Sequence, residues 1–169
     1  MRDFWSWGMS DLRNNTLRGV VAEFLVARAV GAEAPYRVEW DPFDVITPAG
    51  VRIEVKSAAY LQSWEQKRPS RIVFSGLSAQ LLDAETGVYA GERGYNADVY
   101  VFAVQTARSH DVLDVLDTAQ WEFYVLSREQ VAATGYRSLS LATVAGISGE
   151  SVSLDSLDVA VRAAAHGFS

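Results

Sequence analysis

The sequence predicts a single α/β domain that spans residues 1–169. Three observations carry this prediction. Apolar residues at helical spacing over residues 11–30 predict a long helix that ends near Gly31. The run Ala97–Gln105 is almost wholly apolar and β-prone, as expected of a central strand with both faces covered. An amphipathic segment, Ser153–Gly167, predicts a final helix. No repeat, low-complexity segment or linker divides the chain, so one domain is the simplest organisation.

The other predicted elements are short. In the long helix, one apolar side is predicted to contain Leu17, Val20, Val21, Phe24 and Leu25. In chain order, the remaining segments are a strand from Tyr36, two strands within residues 43–57, a strand from Arg71, a short helix and loop within residues 77–96, a strand from Trp121 and a capped helix from Ser127.

The composition excludes several classes of protein. With 49% hydrophobic and 21% charged residues the chain can form a core, and disorder is not indicated. The absence of cysteine rules out disulfides, thiolate zinc sites and a cysteine nucleophile, and it fits a reducing compartment. No segment resembles a signal peptide or a membrane span, so we expect a soluble cytoplasmic protein. A net charge of −6 argues against bulk attraction to nucleic acid, but it permits a local basic groove or an acidic pocket neutralised by divalent cations.

A predicted hairpin brings two carboxylates and a lysine to one face of the sheet. If "PAG" is a three-residue loop, its register sets Val45 opposite Ile53 and Asp44 opposite Glu54. The Cβ atoms of Asp44 and Glu54 are then about 5 Å apart. Strand alternation places Lys56, one of only two lysines in the chain, on the same face as Glu54.

Such a face suits a metal-assisted reaction at a phosphate. Opposed carboxylates repel each other, and a bound Mg²⁺ would remove that penalty because it takes oxygen ligands from one or two carboxylates. Lys56 could orient a water and stabilise charge on a phosphate as a compact point charge. The simpler alternative is an ion-pair ladder without a catalytic role. The spacing recurs at Glu65 and Lys67, but in a polar stretch that we interpret as a solvated loop.

These residues resemble the PD-(D/E)XK nuclease superfamily, which has the restriction-endonuclease-like fold. Its signature is an acid at the start of one strand, a hairpin, and then (D/E)-x-K in the next strand. Asp44 and the tripeptide Glu54–Lys56 match that pattern. Many members also have a glutamate on the helix before the hairpin, where this chain has Glu23. The alternative for Glu23 is a surface neighbour of Arg28 at the edge of the apolar stripe. Pro42 stands two residues before Asp44, where the superfamily pattern has it adjacent.

The resemblance, which covers about residues 17–64, implies a central mixed β-sheet flanked by helices and metal-dependent hydrolysis of DNA phosphodiester bonds. The implied cofactor is Mg²⁺, with Mn²⁺ as a substitute, and the implied metal ligands are Asp44, Glu54, Glu23 and the Val55 carbonyl. Lys56 would orient the attacking water, and Gln62 would lie near the scissile phosphate. Four basic residues are predicted to contact nucleic acid, namely Arg18, Lys67, Arg68 and Arg71. The alternative for the basic patch within residues 66–71 is a plain solvated loop.

The expected partner is DNA rather than RNA, with no membrane involved. A core of this size has little room for both catalysis and sequence recognition, so we expect a homodimer or a partner protein that supplies specificity. The alternative function is a catalytically silent module of the same fold that binds nucleic acid or a protein.

Overall fold

The computed structural model of the protein describes residues 1–33, 42–82 and 89–167. Its helices are α1 (Arg2–Gly8), α2 (Asn15–Ala29), α3 (Arg128–Thr134), α4 (Leu141–Ser148) and α5 (Leu157–His166). Its strands are β1 (Val45–Ile46), β2 (Arg52–Ala59), β3 (Val73–Ser75), β4 (Ala79–Leu82), β5 (Tyr89–Gly94), β6 (Val99–Gln105), β7 (Trp121–Ser127) and β8 (Ser138–Ser140).

A four-stranded mixed sheet with the order β1-β2-β6-β7 lies at the centre of the fold. β2 and β6 are parallel, whereas β1 pairs with β2 and β7 pairs with β6 in antiparallel fashion. Two further antiparallel pairs, β3 with β8 and β4 with β5, stand outside this sheet. The helices α2, α3, α4 and α5 pack on the central sheet, which confirms the predicted α/β fold with a central mixed sheet flanked by helices.

Each face of the central sheet carries its own hydrophobic core. On one face, α2 and α5 bury residues such as Leu25 and Val161 against β2, β6 and β7. On the other face, residues of β3, β8, α3 and α4 pack around Tyr100 and Phe102 of β6. All seven residues of β6 are buried, as the sequence predicts for a strand covered on both sides.

α2 begins and ends with the caps that its sequence suggests. The Asn14 side chain accepts a hydrogen bond from the Thr16 N–H at 2.9 Å, which satisfies one of the free donors of the first turn. At the other end Gly31 has a φ of +66°, and the Ala32 N–H reaches back to the Ala27 carbonyl at 2.9 Å. A left-handed glycine with this 6→1 hydrogen bond is a Schellman motif.

The buried side of α2 differs from the predicted one. Ala22, Leu25 and Val26 are buried, whereas Val20 and Phe24 are exposed. The prediction for Val20 and Phe24 was therefore wrong. The segment is apolar around much of its circumference, so spacing alone does not select the side that meets the sheet.

The remaining elements differ in how well local sequence patterns predicted them. The capped helix predicted from Ser127 is α3, with both hydrogen bonds of the capping box to Gln130 present. The short helix predicted within residues 77–96 is not found in the described part of that segment, where β4 pairs with β5 and cross-strand pairing overrides a weak helical pattern. Residues 83–88 lie outside the described residues. The sequence reading did not include α1, α4 or β8. The predicted strand from Tyr36 lies outside the described residues.

The N-terminal helix α1 contributes no buried residue, and its Trp7 is 83% exposed. Throughout the described part of the chain, no helix has both the length and the apolar character needed to cross a bilayer.

Candidate active site

The β1–β2 hairpin sets the geometry of the candidate site. Val45 pairs with Ile53 and Ile46 with Arg52, which confirms the predicted register for these two pairs. Asp44 and Glu54 lie beyond the last of these pairs. The Thr47 N–H donates to the Val51 carbonyl at 3.0 Å and closes the three-residue loop. Gly50 has a φ of +83° there, a left-handed conformation that costs other residues about 1 kcal/mol or more.

Asp44 bonds to β2 through both its main chain and its side chain, beyond the last paired residues of the hairpin. Its main-chain N–H donates to the Ile53 carbonyl at 2.9 Å, and its carboxylate accepts the Val55 N–H at 2.7 Å. The carboxylate is thereby held against β2 next to Glu54. A charge-assisted bond of this kind is about twice as strong as a neutral one, so it fixes the position of the Asp44 side chain.

Glu54 and Lys56 lie side by side on one face of β2. The Lys56 Nζ is 2.5 Å from the Glu54 Oε1, and the two side chains are 23% and 19% exposed. This degree of burial separates the pair from the exposed ion pairs that contribute little to structure. In the parallel register, Glu54 lies beside Tyr100 and Lys56 beside Phe102, so aromatic residues of β6 flank both charges.

The electrostatics of Asp44 show an excess of negative charge at this face. Burial and the charge of Glu54 raise the pKa of Asp44 to about 7, and Glu23 adds to the effect. The Val55 N–H and the charge of Lys56 act in the opposite direction without cancelling the rise. The hairpin therefore holds a carboxylate that ionises reluctantly unless a further positive charge is supplied.

Glu23 lies on α2 within electrostatic range of Asp44 and is half-buried. Its repulsion of Asp44 is weaker than that of Glu54. Among the residues that the structure describes, no three His, Cys, Asp or Glu side chains are grouped so as to hold a metal ion by themselves. Of the two glutamates that act on Asp44, Glu54 thus has the larger effect and Glu23 the smaller.

The donor set of Asp44 and Glu54 fits a hard divalent cation. Carboxylate oxygens are the ligands that Mg²⁺ takes in proteins, and Mg²⁺ needs only one or two of them when waters and substrate phosphates complete its shell. A cation there would compensate the negative charge of Glu54, which together with burial raises the pKa of Asp44. Asp44 and Glu54 would be its side-chain ligands.

Gln62 and the predicted nucleic-acid-binding residues lie beyond this face. Gln62 is buried, and its Nε2 donates to the Ala59 carbonyl at 3.2 Å. Arg18 is also buried, at 5% exposure. The other three basic residues are exposed, namely Lys67, Arg68 and Arg71. Glu65 is exposed as well, and no helix or strand includes residues 65–67. The second acid-x-lysine triplet is therefore a loop, as predicted.

Gly76 lies next to the site, although no pattern in the sequence indicated this residue. It has a φ of +71°, and a Cβ at this position would lie 3.7 Å from the Lys56 Nζ. Tyr100 is another such neighbour, and its hydroxyl donates to the Leu77 carbonyl at 3.2 Å. Burial, with a smaller contribution from Glu54, raises the pKa of Tyr100 to about 12, so it stays a neutral donor. No local pattern marks either residue, because both meet β2 through tertiary packing.

The amino-acid sequence matches the model of a known protein family. The model of the bacteriophage T4 endonuclease IV family matches residues 7–142, a span that contains α2, the hairpin and the central sheet. A search of curated proteins found no match to the chain. Since the family model matches most of the sequence, the chain belongs to the bacteriophage T4 endonuclease IV family.

Proposed function

We propose that the protein is a metal-dependent endonuclease that hydrolyses DNA phosphodiester bonds in the manner of the PD-(D/E)XK superfamily. The observation that carries the proposal is the arrangement of Asp44, Glu54 and Lys56, in which a carboxylate with a pKa raised to about 7 stands beside a carboxylate–ammonium pair. Perturbed carboxylates of this kind cluster at functional sites. Membership of an endonuclease family supports the same chemistry.

In this proposal Asp44 and Glu54 hold Mg²⁺, with the Val55 carbonyl and Glu23 as further candidate donors. A bound Mg²⁺ supplies polarisation of a phosphate oxygen and a lowered pKa for a bound water. The Val55 N–H keeps the Asp44 carboxylate in place, so little side-chain entropy is lost when the ion binds.

Lys56 is the proposed positioning and charge-stabilising group. Its ammonium has three N–H donors, of which Glu54 occupies one. Lys56 forms no second ion pair with the described residues, so the remaining two donors can orient a water and stabilise negative charge on the phosphate in the transition state. The glycine at position 76 leaves room beside this ammonium for a substrate.

Cleavage measured with and without metal tests the proposal. The wild-type protein is expected to cut DNA only with Mg²⁺ or Mn²⁺, and chelation should stop the reaction. Asp44→Asn and Glu54→Gln should each lose at least about 100-fold in kcat/KM, the scale expected when an electrostatic group of an active site is removed. Glu65→Gln, at the exposed second triplet, is the matched control and should retain activity.

The alternative of a catalytically silent module makes a different prediction. Such a module would bind DNA or a protein with the same affinity in the two carboxylate variants, and no DNA would be cut with either metal. That result would contradict the proposed nuclease function.

A further inference from the structure

A cavity of about 350 Å³ lies between the start of α2 and the chain that follows β2. Its volume is at the lower end of the range of roughly 300–1,000 Å³ found for small-ligand sites. The residues of its lining that matter here are Arg18, Ser57, Gln62, Trp64, Ser70 and Arg71. Ser57 follows Lys56 in β2, so strand alternation turns its side chain away from Lys56 and toward Gly19 of α2. The cavity therefore lies on the α2 side of the sheet and does not include the carboxylates of the proposed active site.

Arg18 is a buried cation whose hydrogen bonds go only to neutral groups. Its Nη1 donates to the Arg13 carbonyl at 3.2 Å and its Nη2 to the Asn15 Oδ1 at 2.8 Å, while its Nε has no hydrogen-bond partner. No carboxylate of the described residues forms an ion pair with it. Burial lowers the pKa of Arg18 as a result. A buried charge with neither counter-ion nor complete hydrogen bonding is costly, and an anionic ligand would remove that cost.

Gln62, in the lining of the same cavity, has a buried acceptor atom that lacks a donor. It is 8% exposed, and its Nε2 donates to the Ala59 carbonyl and to the Ser70 Oγ, both at 3.2 Å. The carbonyl partner fixes the orientation of the amide, because a flipped amide would set its oxygen against the Ala59 carbonyl oxygen. The Oε1 is buried and has no partner. It therefore lacks a donor.

A ligand that meets both needs accepts a hydrogen bond from Arg18 and donates one to Gln62. Negative charge on its oxygens would in addition compensate the buried guanidinium, which has no carboxylate partner among the described residues. A singly protonated phosphate monoester has the acceptors, the donor and the negative charge in one small group. A phosphodiester inside a strand and a sulfate ion at neutral pH have acceptors only. We propose that this cavity is a subsite for a phosphate monoester, held by Arg18 and Gln62. The identification of that monoester as the terminal phosphate of a DNA strand rests on the proposed nuclease function.

Thermal shift with inorganic phosphate and with sulfate tests the subsite without metal or catalysis. At pH 6 and equal ionic strength, phosphate is expected to bind the wild-type protein at least about tenfold more tightly than sulfate. Gln62→Met removes the acceptor at similar volume and should abolish the preference, whereas Arg18→Gln should weaken both ions. Arg137→Gln removes an exposed arginine outside the cavity lining and should change neither. Equal binding of the two ions by the wild-type protein, or a preference that survives in Gln62→Met, would overturn the proposal. If Arg18→Gln does not fold, Gln62→Met decides the question.

Oligonucleotide binding, measured with chelator present, identifies the source of the phosphate. A 5′- or 3′-terminal phosphate should raise affinity about tenfold over a hydroxyl end, and Arg18→Gln should remove the difference. Equal affinity for phosphorylated and unphosphorylated ends would overturn the assignment to a strand end. Cleavage is measured separately. An inactive protein that still prefers phosphate over sulfate contradicts the nuclease function alone, and an active protein without that preference contradicts the subsite alone.

Discussion

The carboxylate of Asp44 accepts the main-chain N–H of Val55 at 2.7 Å, beyond the last pair of the β1–β2 ladder, Val45 with Ile53. The side chain thus makes the contact that the next rung of the ladder would otherwise make. This single bond places the Asp44 carboxylate next to Glu54, whose charge helps to raise the pKa of Asp44 to about 7. Asp44 is therefore costly to keep ionised in this position.

Asp44→Asn is expected to stabilise the metal-free protein at neutral pH while it abolishes cleavage. The pKa of Asp44 is raised from 3.8 to about 7 on folding, so between these values the folded state keeps a proton that the unfolded state has released. The free energy of unfolding therefore falls as pH rises from about 4 to 7. Asparagine does not ionise, so the variant does not lose stability over this pH range. Its side-chain oxygen can still accept the hydrogen bond from the Val55 N–H. Urea unfolding at pH 8 should give a gain on the order of 4 kcal/mol, with little at pH 4, because each unit by which folding raises the pKa corresponds to about 1.4 kcal/mol. A loss of stability at pH 8 would contradict the electrostatic account.

Asp98→Asn is the contrasting substitution and should destabilise the protein. Hydrogen bonds from Arg52, aided by the charge of Arg128, lower the pKa of Asp98 to about 2. Its contribution to stability is present above the unfolded pKa near 4 and is lost as pH falls towards 2. We expect Asp98→Asn to lose about 1–3 kcal/mol at pH 7, the usual scale for hydrogen bonds to charged groups. Equal stability of variant and wild type at pH 7 would show that this ion-pair network contributes nothing.

The stabilisation by metal is expected to depend on pH. A metal ion needs the ionised form of Asp44, so binding competes with the proton whose pKa is about 7. The rise in Tm caused by Mn²⁺ should be larger at pH 8 than at pH 5.5. Asp44→Asn should show almost no rise at either pH. A shift that is the same at both values would place the metal away from Asp44.

Gly76→Ala tests the space beside the Lys56 ammonium, and Gly135→Ala is its matched control. Both glycines have positive φ, at +71° and +66°, so each alanine should cost about 1–2 kcal/mol of stability. Only at Gly76 would the new methyl group meet Lys56, at 3.7 Å, whereas a Cβ at Gly135 has nothing within 4 Å. Cleavage rates at a temperature where both variants stay folded should fall for Gly76→Ala alone. Equal rates would remove Gly76 from the site.

The hairpin and its register could be predicted because their causes are local. A three-residue loop ending in Gly50 fixes which residues pair, and alternation then fixes which side chains share a face. The β6 strand was predictable for the same reason, since its apolar run needs cover on both faces.

Contacts made by packing were not predictable from one sequence. The position of Gly76 beside Lys56 depends on how β3 and the chain after it meet β2. The rotation of α2, which exposes Phe24, depends on the fit between helix and sheet. The unpartnered atoms of Arg18 and Gln62 appear only when α2 and the chain after β2 are placed together.

The central claim is that Lys56 acts on the phosphate that is cleaved, and DNA cleavage by Lys56→Ala and Lys67→Ala tests it most directly. Both lysines follow a glutamate by two residues, but only Lys56 stands in β2 beside Glu54 and Asp44. With Mg²⁺ at pH 8, Lys56→Ala should lose at least about 100-fold in kcat with the fold intact by circular dichroism. Lys67→Ala, in the exposed loop, should lose at most some affinity for DNA and keep its kcat. A Lys56→Ala protein that cleaves DNA at the wild-type rate would contradict the account.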